Sequence, residues 1–415
     1  MFNLKRAYGA LFLSLAVFSG AAHAQTVKIA FIDPLSGLLG PVGQNQLRSW
    51  QYIADIANEK NWAGGPKFEI VPFDNKLSPQ ESLTVLKQVE DQGIRYILQG
   101  NGSSVALALA DAVDKYNERN PGKEILYLNY AAVDPDLTNS KCTYWHFRLD
   151  INSDMKMEAL TSYLAKNQDI KKVYLLNQNY SFGIAVARAA KEYLARKRPD
   201  IKIVGEDLHP IAQVKDFAPY VSKIKASGAD TVITGNWGSD LALLIKAAKD
   251  AGLNVNFYTY YAATTGVPTA MGASGENKVY YVGYWNVNNE KFVGADLAAA
   301  YEKKFKKFND DYYTMATYTG IAYLAKAFKE TKSTDPSKVA KALEGMKVQS
   351  LNGEVEMRKT DHQAQQMVYI AKWVKVDGKK VKYDQEDTGY GWETEAVIPA
   401  YVATQPTSCQ MKRPN

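Results

Sequence analysis

The sequence has few of the side chains that bind metals or form covalent intermediates. Its 415 residues include 2 Cys and 4 His, and beyond His23 the histidines His146, His209 and His362 lie far apart, with no H-E-x-x-H pair. Zinc and iron–sulfur centres need closely spaced Cys and His ligands, so we expect no metal site and no cofactor. G-x-S-x-G and G-x-x-x-x-G-K-[ST], the nucleophile-elbow and phosphate-loop motifs, are also absent. We therefore expect a protein that is not an enzyme.

Long apolar runs are absent beyond the first 24 residues. Residues 1–24 carry Lys5 and Arg6, the apolar run ALFLSLAVFSG and the small-residue site Ala22-His23-Ala24, a pattern typical of a cleaved secretory signal peptide. No later run approaches the roughly 18–20 apolar residues of a membrane helix, and no Cys follows the cleavage site to take a lipid. We expect an exported protein located in the periplasm, without a lipid anchor.

Charge of one sign is not concentrated anywhere in the chain. The net charge of +6 falls to +4 without Lys5 and Arg6, and the remaining acidic and basic residues are interleaved. A nucleic-acid-binding protein usually carries a basic patch or stripe. The charge pattern therefore argues against a nucleic-acid partner.

The two cysteines, Cys142 and Cys409, are both in the exported part of the chain. In an oxidising compartment one disulfide between them is the economical interpretation, and it would close a long loop. Two separate buried thiols are the alternative.

Short apolar strands and amphipathic helices alternate along the chain. A first series of strands is predicted at 27–32, 67–75, 95–100 and 124–130, and a second at 171–178, 201–209, 229–237 and 256–262. Strands separated by helices predict a parallel, doubly wound sheet. Two such series predict an α/β protein with two doubly wound parallel-sheet lobes, and 139–153 is the expected passage between them.

The corner Gly100-Asn101-Gly102-Ser103-Ser104 joins a predicted strand to an alanine-rich helix. Ligands of open α/β sheets bind beyond the carboxyl ends of strands, where helix N-termini favour anions. The glycines allow close approach of the backbone, and the two serines offer hydroxyls beside free N–H groups. We interpret the corner as a carboxylate seat in which one serine caps the helix and its neighbour contacts the ligand; capping alone is the alternative.

Five ordered segments resemble one family. VKIAFIDPLSGLLGPVG, GNGSSVALA, YAAVDPDLT, NQNYSFGIAVARA and KIKASGADTVITGNWGSDLALLIKAAKDAGL are similar to the Leu/Ile/Val-binding (type I) periplasmic solute-binding proteins of ABC transporters. The resemblance implies two lobes joined by a three-strand hinge with crossings near 148, 282 and 366. It assigns 25–148 plus 283–366 to lobe 1 and 149–282 plus 367–415 to lobe 2 and the C-terminal tail. It also implies a monomer that closes on a small solute and delivers it to an inner-membrane ABC permease.

Carried over by position, the resemblance places the ligand carboxylate at Ser103 or Ser104 and two main-chain contacts at Ala131 and Val133. Amino-acid binders of the family usually have Thr or Ser where this chain has Val133, and an acid for the ligand ammonium where it has Tyr261. Burying a cation without such partners costs several kcal/mol. A plain α-amino acid is therefore a poor fit.

Aromatic side chains occupy the other positions where the family lines its cleft. Flat rings suit an aromatic or apolar solute, although each ring taken alone is more often a packing residue. We expect a small carboxylate with an aromatic or apolar body, captured by hinge closure; the alternatives are a branched-chain amino acid, or a ligand-sensing module for a membrane receptor. The expected ligand-binding residues are Leu39, Gly102, Ser103, Ser104, Ala131, Val133, Tyr180, Phe182, Trp237, Tyr260, Tyr261 and Tyr313.

Overall fold

The computed structural model describes residues 25–289 and 293–414. The predicted signal peptide, residues 1–24, lies outside the described residues. Within the part of the chain that is described, no helix combines the length and the apolar character needed to cross a membrane.

The first lobe is built on a five-stranded parallel sheet with the strand order β2-β1-β3-β4-β5. Its strands are β1 (Thr26–Asp33), β2 (Lys67–Asp74), β3 (Tyr96–Gln99), β4 (Leu126–Asn129) and β5 (His146–Arg148), and its helices are α1 (Gly40–Glu59), α2 (Pro79–Asp91) and α3 (Ser103–Arg119). Strands β3 and β4 are buried along their whole length, as in a sheet covered on both faces. Ser78 caps α2, because its Oγ accepts a hydrogen bond from the Glu81 N–H at 3.2 Å.

The second lobe contains a seven-stranded sheet with the order β15-β14-β10-β9-β8-β6-β7. Strands β6 to β10 are parallel, whereas β14 and β15 are antiparallel additions at one edge. The sheet is mixed because β14 runs opposite to its neighbour β10, and β15 runs opposite to β14. Its strands are β6 (Lys172–Gln178), β7 (Lys202–His209), β8 (Thr231–Thr234), β9 (Asn256–Thr259), β10 (Val279–Gly283), β14 (Val368–Lys375) and β15 (Tyr390–Ile398). Its helices are α4 (Ser153–Leu164), α5 (Ser181–Lys197), α6 (Ala218–Ser227), α7 (Gly238–Asp250), α8 (Val267–Met271) and α12 (Ala400–Ala403).

The chain between β10 and β14 returns to the first lobe. It forms α9 (Ala295–Phe305), α10 (Ala316–Thr331), α11 (Pro336–Leu343) and a small antiparallel sheet of β11 (Lys347–Ser350), β12 (Gly353–Met357) and β13 (Ala364–Gln365). Ring contacts fix α10 against the first lobe: Trp62 with Tyr318 at 5.2 Å and Phe68 with Phe328 at 5.6 Å between centroids. Residues of this segment therefore lie on the side of the cleft that the first lobe forms.

Two of the lobe crossings meet at Arg148, which is fully buried. Arg148 Nε donates to Gln363 Oε1 at 2.7 Å, and its Nη1 donates to the Asp134 carbonyl at 2.5 Å. Gln366 Nε2 donates to the Leu149 carbonyl at 2.8 Å. These bonds to neutral oxygens hold the crossing segments side by side.

A disulfide attaches the C-terminal tail to the first lobe. The Sγ atoms of Cys142 and Cys409 are 2.08 Å apart, and 267 residues separate the two positions. Thr407 Oγ1 also donates to the Thr138 carbonyl at 2.7 Å. Because the tail follows β15 of the second lobe, this link ties the two lobes together covalently near the hinge.

Candidate ligand-binding site

A cavity lies between the lobes, beyond the carboxyl ends of strands from both sheets, and interfaces of this kind are common places for small-molecule sites. We call it the cleft cavity. The residues that sequence analysis expected there and that line it are Gly102, Ser103, Ala131, Val133, Tyr180, Phe182, Trp237, Tyr260, Tyr261 and Tyr313.

Leu39 and Ser104 are not among the residues that line the cleft cavity, so a ligand contact at either position stays a prediction. Leu39 is buried just before α1 and touches the start of α7, since a Cβ added at Gly238 would lie 2.6 Å from its Cδ2. It therefore makes a contact between the lobes. Ser104 follows Ser103 on α3, and successive helix residues point about 100° apart, so only the first of the two serines faces the cavity.

The glycine corner is already occupied by a carboxylate of the protein. Asp33 Oδ2 and Oδ1 accept hydrogen bonds from the N–H groups of Gly100 and Asn101 at 3.0 and 2.8 Å, and the Tyr130 hydroxyl donates to Oδ2 at 2.6 Å. Burial raises the pKa of Asp33 to about 7 despite these hydrogen bonds. The corner therefore holds the carboxyl group of Asp33, and its first two amides are not free for a ligand as expected.

The two glycines of the corner are required by its geometry. A Cβ at Gly100 would lie 2.6 Å from the ring of Tyr130, which is fully buried. Gly102 has a φ of +86°, in the region that favours glycine. The close fit places Ser103, the first residue of α3, at the cavity wall.

Ser103 and Ala131 present polar groups to the cavity from the first lobe. Ser103 is 2% exposed, and its Oγ accepts a hydrogen bond from the Asp134 N–H at 3.2 Å. The hydroxyl proton of Ser103 is therefore available to donate to a ligand oxygen. The Ala131 carbonyl accepts a hydrogen bond from the Tyr261 hydroxyl of the second lobe at 3.3 Å.

The second lobe contributes a wall of aromatic rings. Tyr180 and Phe182 lie at the start of α5, Trp237 precedes α7, and Tyr260 and Tyr261 follow β9. The Phe182 ring lies 5.9, 6.3 and 6.0 Å from those of Tyr180, Tyr260 and Tyr261. Trp237 Nε1 donates to the Tyr180 hydroxyl at 3.0 Å, which fixes both rings.

Sequence analysis missed a buried ion pair in the cleft cavity. Lys156 Nζ, from α4, is 3.0 Å from Asp150 Oδ1, and the two side chains are 1% and 2% exposed. The Tyr261 hydroxyl donates to Asp150 Oδ2 at 3.3 Å, and Lys156 Nζ lies 5.1 Å from the centroid of the Tyr261 ring. Burial lowers the pKa of Lys156 and raises that of Asp150, while their mutual attraction opposes both shifts.

The remaining lining residues come from parts of the chain that meet only in the fold, and apart from Gly100 and Asn101 of the glycine corner none of them was expected to bind a ligand. Within the described residues, no group of three or more His, Cys, Asp or Glu is placed to hold a metal ion. The additional lining residues are Gln46, Gly100, Asn101, Ala132, Ala263, Thr264, Tyr281, Tyr284 and Thr314.

This arrangement of two α/β lobes around a closed cleft agrees with comparisons to known proteins. A family model described as periplasmic binding protein matches residues 26–380. The chain belongs to the periplasmic binding protein family. It is similar to Leu/Ile/Val-binding protein homolog 4 of Brucella abortus, with 33% identity over 97% of this chain and 96% of the relative.

Solved structures share the fold of this periplasmic binding protein. The closed Leu-, Ile-, Val-, Thr- and Ala-binding protein of Brucella ovis is 30% identical, with a TM-score of 0.81 over 94% of this chain and 100% of its own. An ABC-transporter solute-binding protein of Rhodopseudomonas palustris BisB5, in complex with 3,4-dihydroxy benzoic acid, is 20% identical, with a TM-score of 0.77 over 90% and 98%. Proteins of this kind bind small molecules and deliver them to membrane permeases.

Proposed function

We propose that this periplasmic binding protein captures a small carboxylate with an aromatic body and without an α-ammonium group, and delivers it to an ABC permease of the inner membrane. The chain exported after removal of residues 1–24 acts as a monomer and performs no catalytic step. Hinge closure brings the Ser103 wall and the aromatic wall together around the solute.

The proposal depends on the oxygen atoms of the cleft cavity that already accept hydrogen bonds from protein groups. An α-ammonium group needs carbonyl or carboxylate oxygens, and the candidates here are the Ala131 carbonyl and Asp150. The hydroxyl of Tyr261 lies 3.3 Å from an oxygen of each and can donate its one proton to either, and Lys156 Nζ donates to the other oxygen of Asp150. Tyr261 therefore stands where a ligand ammonium would stand, and an ammonium that displaced it would pay the desolvation cost of a buried cation.

Two donors of the cavity suit a carboxylate. Ser103 has a free hydroxyl proton. Lys156 supplies a positively charged ammonium group among the described residues that line the cavity. Charge-assisted hydrogen bonds to a carboxylate are about twice as strong as neutral ones. The rings of Phe182, Trp237 and Tyr260 then pack on the body of the solute. The benzoate-type ligand in the Rhodopseudomonas palustris protein supports the capacity of this fold for such a solute.

A branched-chain amino acid is the second candidate solute. The names of the relatives that are 33% and 30% identical favour it, because they refer to binding of Leu, Ile and Val. It requires Tyr261 to give up the Ala131 carbonyl and Asp150 to leave Lys156. A ligand-sensing role for a membrane receptor would use the same closure.

A thermal-shift panel on the protein from residue 25 onward tests the proposal. Benzoate and 4-hydroxybenzoate at about 100 times their Kd are expected to add about 2.7 kcal/mol of stability, and leucine and valine are expected to add none. Shifts with leucine and valine and none with the aromatic acids would establish the second candidate. Mass spectrometry of the recovered ligand should show it unchanged, and a converted product would contradict a purely binding role.

A further inference from the structure

A second cavity lies beside the cleft cavity and shares Ala263, Tyr281 and Tyr313 with it. We call it the acidic cavity. Both lobes form it, since Trp285, Tyr312 and the carboxylates of Glu302 and Asp311 come from the segment packed on the first lobe, and Asp384 and Trp392 come from the second. The residues that carry the argument are Trp285, Glu302, Asp311, Tyr312, Asp384 and Trp392.

The charged residues that line the acidic cavity in the described structure are all acidic. Its lining includes three carboxylates and no Lys, Arg or His. Glu302 has no hydrogen bond or ion pair within the described parts of the chain, whereas Asp384 accepts the Gly389 N–H at 2.8 Å and Asp311 accepts the Glu386 N–H. Burial and the neighbouring acids raise the pKa of Asp311 to about 7, and burial also raises that of Glu302. Closure of the lobes therefore assembles a set of like charges that a cation would relieve.

Aromatic rings surround these carboxylates. The Trp285 and Tyr312 rings meet edge to face at 5.7 Å, and the Tyr281 and Trp392 rings lie 5.4 Å apart. Trp and Tyr faces attract cations, and proteins use such faces to recognise alkylated ammonium groups. A wall of rings with carboxylates favours an organic cation over a hydrated metal ion, in agreement with the absence of a metal-binding group in the described residues.

Trp285 adds a hydrogen-bond donor without a partner. Its side chain is 4% exposed, and its Nε1–H has no acceptor in the described structure. By contrast, Trp392 Nε1 donates to Gln385 Oε1 at 2.8 Å. A buried donor left unpaired costs about 1–3 kcal/mol, so a ligand oxygen near Trp285 would remove that cost.

We propose that the acidic cavity binds a small organic cation that carries an ammonium group and a hydroxyl or carbonyl oxygen, such as an amino alcohol, when the lobes are closed. The ammonium lies between the rings and the carboxylates of Glu302 and Asp384, and the oxygen accepts from Trp285. Because both lobes contribute to the site, the cation favours the closed form. By linkage, the cation and the solute of the cleft cavity each raise the other's affinity by the same factor.

Isothermal titration calorimetry of the protein from residue 25 onward, with choline and ethanolamine as probes, tests this inference. Saturable binding is expected, and Glu302→Gln/Asp384→Asn should weaken it by at least about 10-fold, as expected when charge partners are lost. Trp285→Phe should weaken it about 5-fold while keeping the ring. Glu59→Gln, at an exposed acid that ends α1, is the matched control and should bind as the unmodified protein does.

Three results would overturn the inference: no binding of either probe, unchanged binding by both Trp285→Phe and the double variant, or equal displacement of the probes by equimolar sodium or calcium. Each variant is also titrated with 4-hydroxybenzoate, whose binding shows that the protein is folded. Loss of cation binding with retained acid binding separates this site from the proposed function of the cleft cavity. If the unmodified protein does not bind 4-hydroxybenzoate, the proposed function of the cleft cavity is contradicted. The inference about the acidic cavity is then decided by the choline and ethanolamine titrations alone.

Discussion

The two walls of the cleft cavity are built in opposite ways. The first lobe offers small residues and backbone, Gly102, Ser103 and Ala131, next to Gly100, Asn101 and Tyr130, which donate hydrogen bonds to Asp33. The second lobe offers large rings at the starts of α5 and α7 and after β9. A rigid polar wall suits a group common to many solutes, and a wall of side chains can vary with the solute body. Under the proposed function, one wall holds the carboxylate and the other determines which carboxylate is bound.

The ion pair that lies between the walls provides the largest expected effect. Lys156→Met leaves Asp150 charged and buried without its partner, and breaking a buried pair costs about 3–5 kcal/mol. Urea unfolding measures this loss. Lys156→Met/Asp150→Asn should recover most of it; a single variant as stable as the unmodified protein would show that the pair does not support either wall.

Asp33, which lies behind the glycine corner of the first lobe, predicts that the free energy of unfolding depends on pH. The pKa of Asp33 is raised to about 7 in the folded protein, so the folded state holds a proton that the unfolded state releases near pH 4. Stability from this group is therefore complete below about pH 4 and is lost as pH rises towards 7. Between pH 5 and 7 the loss is about 2 kcal/mol, at 1.36 kcal/mol per pH unit.

The control for this dependence is Asp33→Asn, which removes the titration. Unfolding free energies of both proteins at pH 5, 6 and 7 should differ in slope, with the steeper decline in the unmodified protein. Parallel slopes would mean that Asp33 is ionised throughout.

The hydroxyl of the polar wall predicts a smaller effect on ligand affinity. Ser103→Ala removes one hydrogen bond to the carboxylate and should weaken 4-hydroxybenzoate binding about 10-fold, equivalent to about 1.4 kcal/mol. Ser104→Ala is the matched control, since Ser104 does not line the cavity, and it should leave the Kd unchanged. Equal losses in the two variants would place the carboxylate elsewhere.

The smallest expected effect is in the aromatic wall. Trp237→Phe keeps a ring but removes the hydrogen bond from Nε1 to the Tyr180 hydroxyl. The freed rings should weaken binding of aromatic acids about 3-fold and change the order of preference among ring substituents. Calorimetry with benzoate, 4-hydroxybenzoate and 3,4-dihydroxybenzoate measures that order, and an unaltered order would assign selectivity to the first lobe.

The sequence predicted the parts of the site that lie at strand ends. Ser103 and the rings at Tyr180, Trp237 and Tyr261 follow short apolar strands, and parallel strands place their ends together. The Asp33 bonds to the glycine corner span 67 and 68 residues, so nothing local indicated that two amides of the corner were occupied. Asp150 and Lys156 face each other because the chain turns from the hinge into α4, and no pattern in the sequence marks that turn as part of the cavity.

The affinity of a matched ligand pair tests the central claim most directly. 4-Hydroxyphenylacetate and 4-hydroxyphenylglycine have the same ring and carboxylate and differ by the α-ammonium group that Tyr261 is inferred to exclude. Calorimetry on the protein from residue 25 onward should show the acetate binding at least about 100-fold more tightly, because an unpartnered buried cation costs several kcal/mol. Equal or tighter binding of the glycine derivative would contradict the claim.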